Sequence, residues 1–308
     1  MASGYTVSGL TDYVKTNQDV LIKGVVLGSV KGDTIPRLRK QFGVKTKELL
    51  NILDVDPTIQ DGSSCGWAAS GSTEFSERMI ETAQLKAQDE YCEKTLLGKV
   101  VEFATTAKAD DNRPFEAEIL DEVVGKINEK MEKLVWQGAT SGNSGTDLID
   151  GFLTQALNQD SASTIMVTGS SATSISARVE AVIMALPEEI LDKATIFLAP
   201  SAFRALAFEL QKNYKYNANL YDANVEDKDI LYPGSEVRIH KTLGLIGSDK
   251  IYASVYSNMV YGCDLENDQE KVRAFEDQKN GTWCYDIQWN AGIKTIFPDM
   301  VVVGDFSA

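Results

Sequence analysis

The feature that most constrains this chain is a run of apolar residues between positions 115 and 136. Phe115, Ile119, Val123, Ile127, Met131, Leu134 and Val135 recur at steps of three and four, which places them on one stripe of an α-helix. Its ends are marked as well. Asp111 or Asn112 suits the cap and Pro114 the first turn, Glu116 and Glu118 face the positive end of the helix dipole, Lys130 and Lys133 lie near the negative end, and Gly138 follows. At the usual rise per residue such a helix spans about 33 Å, long enough to serve as the backbone of an elongated subunit.

The sequence before the helix has a different texture. Residues 1 to 45 hold a short amphipathic stretch (Leu10, Val14, Val20, Leu21, Val25), then Gly24, Gly28 and Gly32, then the basic residues Arg37, Arg39 and Lys40. Glycine-punctuated sequence of this kind suits an arm that packs on something else. From Glu48 the pattern turns to strands, ELLNILDVD and then TEFSERMIETAQLKA, where Phe75, Met79, Ala83 and Leu85 alternate with Ser76, Arg78, Thr82 and Lys86. Between them lies DGSSCGWAASGS, with Trp67 among three glycines. The expectation is a long two-stranded excursion. A lone hairpin is marginal in water, so it leans either on the chain's own body or on a neighbour.

After the helix the reading is mixed. TSISARVEAVIMAL (173 to 186) predicts a helix, ATIFLA (194 to 199) a buried strand and PSAFRALAFELQK (200 to 212) a second helix. Strands then dominate as EVRIHKTL, KIYASVYS, GTWCYDIQWN, IKTIF and MVVVGDF. Helices on a mostly antiparallel sheet make the fold class α+β.

Composition removes several functions. Thirty Lys and Arg against 45 Asp and Glu leave a net charge of −15, which disfavours a generic binder of nucleic acid or anionic membrane. A container for DNA stays open, because its wall must not grip the duplex. Cys65, Cys92, Cys263 and Cys284 are far apart and form no C-x-x-C pair, so neither a zinc ribbon nor a disulfide framework is expected. The opening MASGYTVSGLTDYVKTNQDV lacks the pattern of a signal peptide, and no stretch has the about 20 apolar residues of a membrane span. Synthesis and folding in cytosol are expected.

Motifs for chemistry are weak. Gly62-Ser63-Ser64-Cys65-Gly66 matches G-x-S-x-G, but it lacks the strand before and the helix after that a nucleophile elbow needs. The single histidine, His240, alternates as a strand residue in EVRIHKTL, and a triad would need it as base. Asp54, Asp56 and Asp61-Gly62 miss the spacing of a calcium loop, and no phosphate-binding glycine loop is present. No cofactor or metal is expected, and no enzymatic activity.

The order of the second half resembles the major capsid proteins of tailed double-stranded DNA bacteriophages, which have the Hong Kong 97-like fold. The residues that carry the resemblance are the long helix ending in WQGA, DLIDGFL (147 to 153), ALPEEILDKATIFLAPSAFRALAFELQK, and the close from NMVYGCDLEN to GIKTIFPDMVVV. It covers nearly the whole chain but rests on order and texture. It implies an N-terminal arm (1–47), an extended β-hairpin loop with its strands (48–92), a peripheral domain (93–146) with the spine helix at 115–137, an axial domain (147–279) and closing peripheral strands (280–308). Many members carry a cleaved scaffolding domain before the arm; this sequence has none there, which assigns guidance of assembly to a separate scaffold protein or to another of the family's variations.

The implied function is self-assembly into hexamers and pentamers that form an icosahedral or prolate head shell around the phage genome. The partners implied are other copies of the chain, a scaffolding protein, the portal and decoration proteins, without sequence-specific DNA binding. The place is the virion capsid, assembled in the host bacterial cytoplasm. Candidate contacts between subunits are Ser63, Ser64, Trp67, Ser70 and Phe75 on the extended loop and Arg37, Arg39 and Lys40 on the arm. The alternatives are an encapsulin-like nanocompartment shell, a tail-tube or sheath protein, and a serine hydrolase using Ser64.

Overall fold

The computed structural model describes residues 13–27, 34–56, 58–59, 71–92, 115–140, 148–171, 173–213, 229–264, 271–277 and 279–306. The caps predicted at Asp111, Asn112 and Pro114 lie outside them. Helix α1 (Gln18–Val26) turns Leu21, Val25 and Val26 inward with Val14, while Val20 is 68% exposed. A 3₁₀ turn at Ile35–Arg37 then leads into strand β1 (Arg39–Phe42). These residues join the main core with Ile35 and Leu38. Residues 13–27 and 34–42 form no separate core: the apolar side of α1 finds its cover on the body of the chain itself.

Strands β2 (Lys47–Asp56) and β3 (Ser72–Glu81) form a two-stranded antiparallel hairpin, from Lys47↔Glu81 to Asp56↔Ser72. The run read as one strand through Lys86 divides at Thr82. Beyond it β4 (Ala83–Cys92) leaves the hairpin. Thr82 is held by its N–H on Thr46 O at 2.9 Å and its hydroxyl on Lys45 O at 3.2 Å. The break reverses which face is covered: Ile80 and Leu85, an odd number of residues apart, are both buried, whereas Phe75 and Met79 are exposed.

Helix α2 (Phe115–Gln137) follows the predicted spacing, with Leu120, Val124, Ile127, Met131, Leu134 and Val135 buried. It ends against its own return: Gly138 donates to Leu134 O at 2.9 Å, and a Cβ there would stand 2.3 Å from Ile149 O. Helix α3 (Phe152–Thr154) runs on as a π-helical turn, Gln155–Gln159. Trp136, fully buried, packs on Phe197 at 4.8 Å, Tyr252 at 5.2 Å and Phe152 at 5.8 Å between ring centroids, which makes it core as expected of an aromatic at that position.

Next come β5 (Ile165–Thr168), helix α4 (Ile175–Ala185), β6 (Thr195–Leu198), helix α5 (Pro200–Asn213), β7 (Ile230–Leu231), β8 (Arg238–Lys241), β9 (Ile251–Ser254), β10 (Met259–Cys263), β11 (Lys271–Asp277), β12 (Thr282–Thr295) and β13 (Val302–Asp305). Two larger sheets result. One has the order β5-β13-β9-β6-β8-β7 and shares a core with α4 and α5. In the other, β12 pairs with β4 along one edge and with β11 and then β10 along the other, and β1 adds in parallel to β10. Trp283, Ile287, Trp289 and Ile293 of β12 enter the main core.

Two expectations change here. GTWCYDIQWN and IKTIF are one continuous strand, since Ala291 and Gly292 keep their ladder partners Cys263 and Gly262. The division at 279/280 also does not coincide with the sheets: β10 and β11 lie with β12, while β13 lies with β5 and β9. The pairings involved are distant in sequence and leave no local signature. Among the described residues no helix is long and apolar enough to cross a membrane.

Candidate assembly interface

The hairpin has two unlike faces. Alternation along β2 and β3 puts Leu50, Ile52 and Ile80 on one of them, where they pack with Val44, Val260 and Ile296 of the body. Close seating is possible because the cross-strand partners Gly262 and Gly292 carry no side chains. A Cβ at 292 would come 2.1 Å from Glu81 O, and one at 262 would come 2.9 Å from Ile80 Cδ1. Arg78 adds polar ties, donating to Ile296 O at 3.2 Å and pairing with Asp160. The opposite face is open. Two of its facing pairs are apolar, Leu49↔Met79 and Leu53↔Phe75, with Asn51↔Glu77 between them, and the four apolar side chains have exposures of 50%, 44%, 57% and 80% respectively.

A second joint holds the N-terminal segment. Glu132 of α2, fully buried, accepts from Thr34 N–H (2.9 Å), Ile35 N–H (3.4 Å), the Thr242 hydroxyl (2.8 Å) and Trp136 Nε1–H (3.3 Å). Sequence reasoning passed over Glu132. The available signal was a carboxylate between Met131 and Trp136 on the apolar side of the helix. Beside it Arg37 donates to Asp229 Oδ2 at 2.9 Å and to Tyr256 OH at 3.2 Å, and His240 Nδ1 lies 2.7 Å from Asp229 Oδ1. Burial alone would raise the Asp229 carboxyl, but the hydrogen bonds and charges of His240 and Arg37 outweigh it and hold it below the ordinary value. Burial pushes the Tyr256 phenol up to about 12 against the opposing pull of Arg37.

The predicted contact residues are placed as follows. Phe75 is on the open hairpin face. Arg37 is turned inward to Asp229, so its charge is engaged within its own chain, while Arg39 is exposed and Lys40 half-buried on β1. Ser63, Ser64, Trp67 and Ser70 lie outside the described residues, as does the G-x-S-x-G motif. His240 sits on a strand as expected; it is fully buried, its Nε2 has no hydrogen-bond partner, and the ring meets Phe197 edge-on at 6.0 Å. Among the described residues no cluster of His, Cys, Asp and Glu is suited to a metal ion.

No protein-family model matches the chain, and no curated protein matches its sequence. Solved structures do match its fold. A chain of the satellite phage P4 procapsid, solved with its size determination (Sid) protein, is similar over 100% of this chain and 93% of its own, with a TM-score of 0.63 at 10% identity. The capsid of the empty GTA particle is similar over 91% of both chains, with a TM-score of 0.56 at 12% identity. A virus-like particle from Pyrococcus furiosus is similar over 96% of this chain and 100% of its own, with a TM-score of 0.51 at 11% identity. With mixed helices and sheets and an open-faced hairpin at its margin, this chain shares its fold with chains of these capsid structures.

Proposed function

We propose that the chain is the major capsid protein of a tailed double-stranded DNA phage, a shell subunit whose activity is self-association into hexamers and pentamers. The observation that carries this is the two-sidedness of the hairpin. One face is seated on the body, and the other presents Leu49, Leu53, Phe75 and Met79 outward. Full cover of such a side chain is worth about 1.5–3 kcal/mol, and an apolar patch of this kind on a protruding element marks a contact surface. Identical subunits joined by repeated heterologous contacts close into rings, and small changes of angle let rings of two sizes share one shell.

In this reading the open face and the tip at 62–71 cover a neighbouring subunit, and α2 with the central strand β12 forms the rigid wall. The Hong Kong 97-like division into arm, extended loop, peripheral and axial domains belongs to the same reading. So do assembly in the host cytoplasm with a separate scaffold, attachment to a portal and binding of decoration proteins. The net charge of −15 suits a container whose wall repels the packed phosphates. A virus-like particle is also among the structures of similar fold, and the second reading is an encapsulin-like nanocompartment shell around protein cargo.

Electron microscopy of the purified protein, alone and with coexpressed scaffold candidates, tests both readings. Closed shells whose formation depends on a coexpressed scaffold support the first, shells formed by the chain alone around host enzymes support the second, and tubes overturn both. Deleting residues 62–71, or making Leu53→Ser with Phe75→Ser, is expected to leave a folded subunit that forms no shell. Normal particles from these variants would refute the role given to the hairpin.

A further inference from the structure

Two of the four cysteines meet on one face of the sheet built around β12. Cys92 ends β4 and Cys284 lies near the start of β12; both are free thiols. The register Thr282↔Cys92 and Cys284↔Glu90 makes them diagonal neighbours across an antiparallel pair. Alternation along β12 turns Trp283 and Tyr285 into the main core and puts Thr282 and Cys284 on the other face. There Cys92 is exposed and Cys284 half-buried. Cys284 leans toward its neighbour: its Sγ stands 3.8 Å from the Thr282 hydroxyl, and Thr282 is the residue opposite Cys92. On the core face the Tyr91 ring stacks on Trp283 and on Tyr285, each at 6.1 Å between centroids. The residues adjoining both cysteines are thereby packed together, which fixes the place of one thiol relative to the other.

We infer that Cys92 and Cys284 are an oxidisable pair, a site at which a small disulfide of the glutathione class drives reversible formation of a brace between β4 and β12. Diagonal neighbours of this kind stand about 7–8 Å apart at Cα and a disulfide accepts up to about 6.8 Å, so closure draws the strands in by about 1 Å. Thr282↔Cys92 is the terminal pairing of the register, so the shift disturbs no pairing beyond it. The exposed Cys92 thiolate attacks the small disulfide, forming a mixed disulfide and releasing one glutathione thiolate. The Cys284 thiolate then attacks Cys92 Sγ, closes the S–S bond and expels the second glutathione. Two protons and two electrons leave the chain, and the small disulfide takes them up as two thiols. In reducing surroundings the pair stays open, and in oxidising ones it closes. The bond closes a loop of roughly 190 residues that includes α2, and a cross-link over so long a loop restrains the unfolded chain strongly. Cys263, fully buried, takes no part. The inference concerns the single chain and holds whether or not copies tile into a shell.

The test uses the full wild-type chain, as a mixture of isotope-labelled and unlabelled copies, equilibrated with reduced and oxidised glutathione in varied ratio. Non-reducing peptide mapping should find the Cys92 and Cys284 peptides joined, both from the same isotopic copy, and thiol titration should lose two groups per chain. The thermal midpoint should rise by about 5 °C on oxidation and return on reduction. Cys65→Ser should behave as wild type, whereas Cys92→Ser and Cys284→Ser should form no such bond and show no rise. Unmodified thiols in the most oxidising mixture, glutathione adducts on both cysteines without a bond between them, a bond to Cys65, or isotopically mixed pairs would each overturn the assignment. A joined pair whose midpoint did not rise would overturn the brace. Mapping of the wild-type chain decides the matter whether or not a serine variant folds.

Discussion

The joint at Glu132 and the joint at Arg78 each tie an outlying segment to the body of the chain through one carboxylate, and they differ in how completely that carboxylate is satisfied. Glu132 gathers donors from the N-terminal segment, its own helix and the end of β8. Asp160 meets Arg78 and leaves an oxygen buried and bare. A fully satisfied buried network fixes one geometry, whereas a partly satisfied one leaves alternatives close in energy. The difference teaches that the N-terminal segment is built as fixed structure and the hairpin as an adjustable part, although both look like appendages in sequence.

The comparison is broken most directly at Glu132. Glu132→Ala strands the Thr34 and Ile35 backbone donors inside the protein, while the Trp136 Nε1–H keeps the Thr34 hydroxyl at 3.2 Å, and each unpaired group costs about 1–3 kcal/mol. A loss of about 3–5 kcal/mol in the unfolding free energy of the subunit is expected, read by denaturant titration. Glu132→Gln keeps an acceptor oxygen and should cost less than half of that. A small effect from Glu132→Ala would mean that the N-terminal segment is not fixed there.

Neither joint was legible in the sequence, although the long elements were, and the reason is the range of the interactions. The long helix, the two helices at 175–185 and 200–213 and the strand Thr195–Leu198 come from period and local caps, so the sequence displays them. Thr82 breaks a run whose alternation looks continuous, because its partners Lys45 and Thr46 lie across the hairpin root. Gly292 reads as a strand break, yet it is the place where Glu81 backbone approaches an unbroken strand. The apolar residues of the arm were visible, but not that α2 would cover them. At the candidate interface Phe75 and Met79 already shared a face in the alternation of the sequence; Leu49 and Leu53 joined them only once the register of β2 on β3 was fixed.

The charged half of the N-terminal joint gives a pH signature of intermediate size. Asp229 is held below its ordinary value by His240 and Arg37 against the opposing effect of burial. A lowered carboxyl stabilises the fold at pH above the unfolded-chain value of about 3.9, and that contribution disappears as pH falls through the folded value. Stability should therefore drop from about pH 4 downward, and Asp229→Asn should flatten that acid limb. At neutral pH the same substitution is expected to cost about 1.5–3 kcal/mol, the range for hydrogen bonds to charged groups. An unchanged acid limb would show that Asp229 does not report on the joint.

The smallest effect on stability is expected at the other joint. Asp160→Asn retains an oxygen for Arg78 and removes a charge whose second oxygen already lacks a partner, so the loss in unfolding free energy should stay within about 1 kcal/mol. Its consequence should appear instead in the angle of the hairpin and in the uniformity of any particles formed. Stability and geometry are thus expected to separate here and to move together at Glu132. If Asp160→Asn cost as much as Glu132→Ala, the hairpin root would be as rigid as the N-terminal joint, and the bare oxygen of Asp160 would mark strain inside a fixed structure.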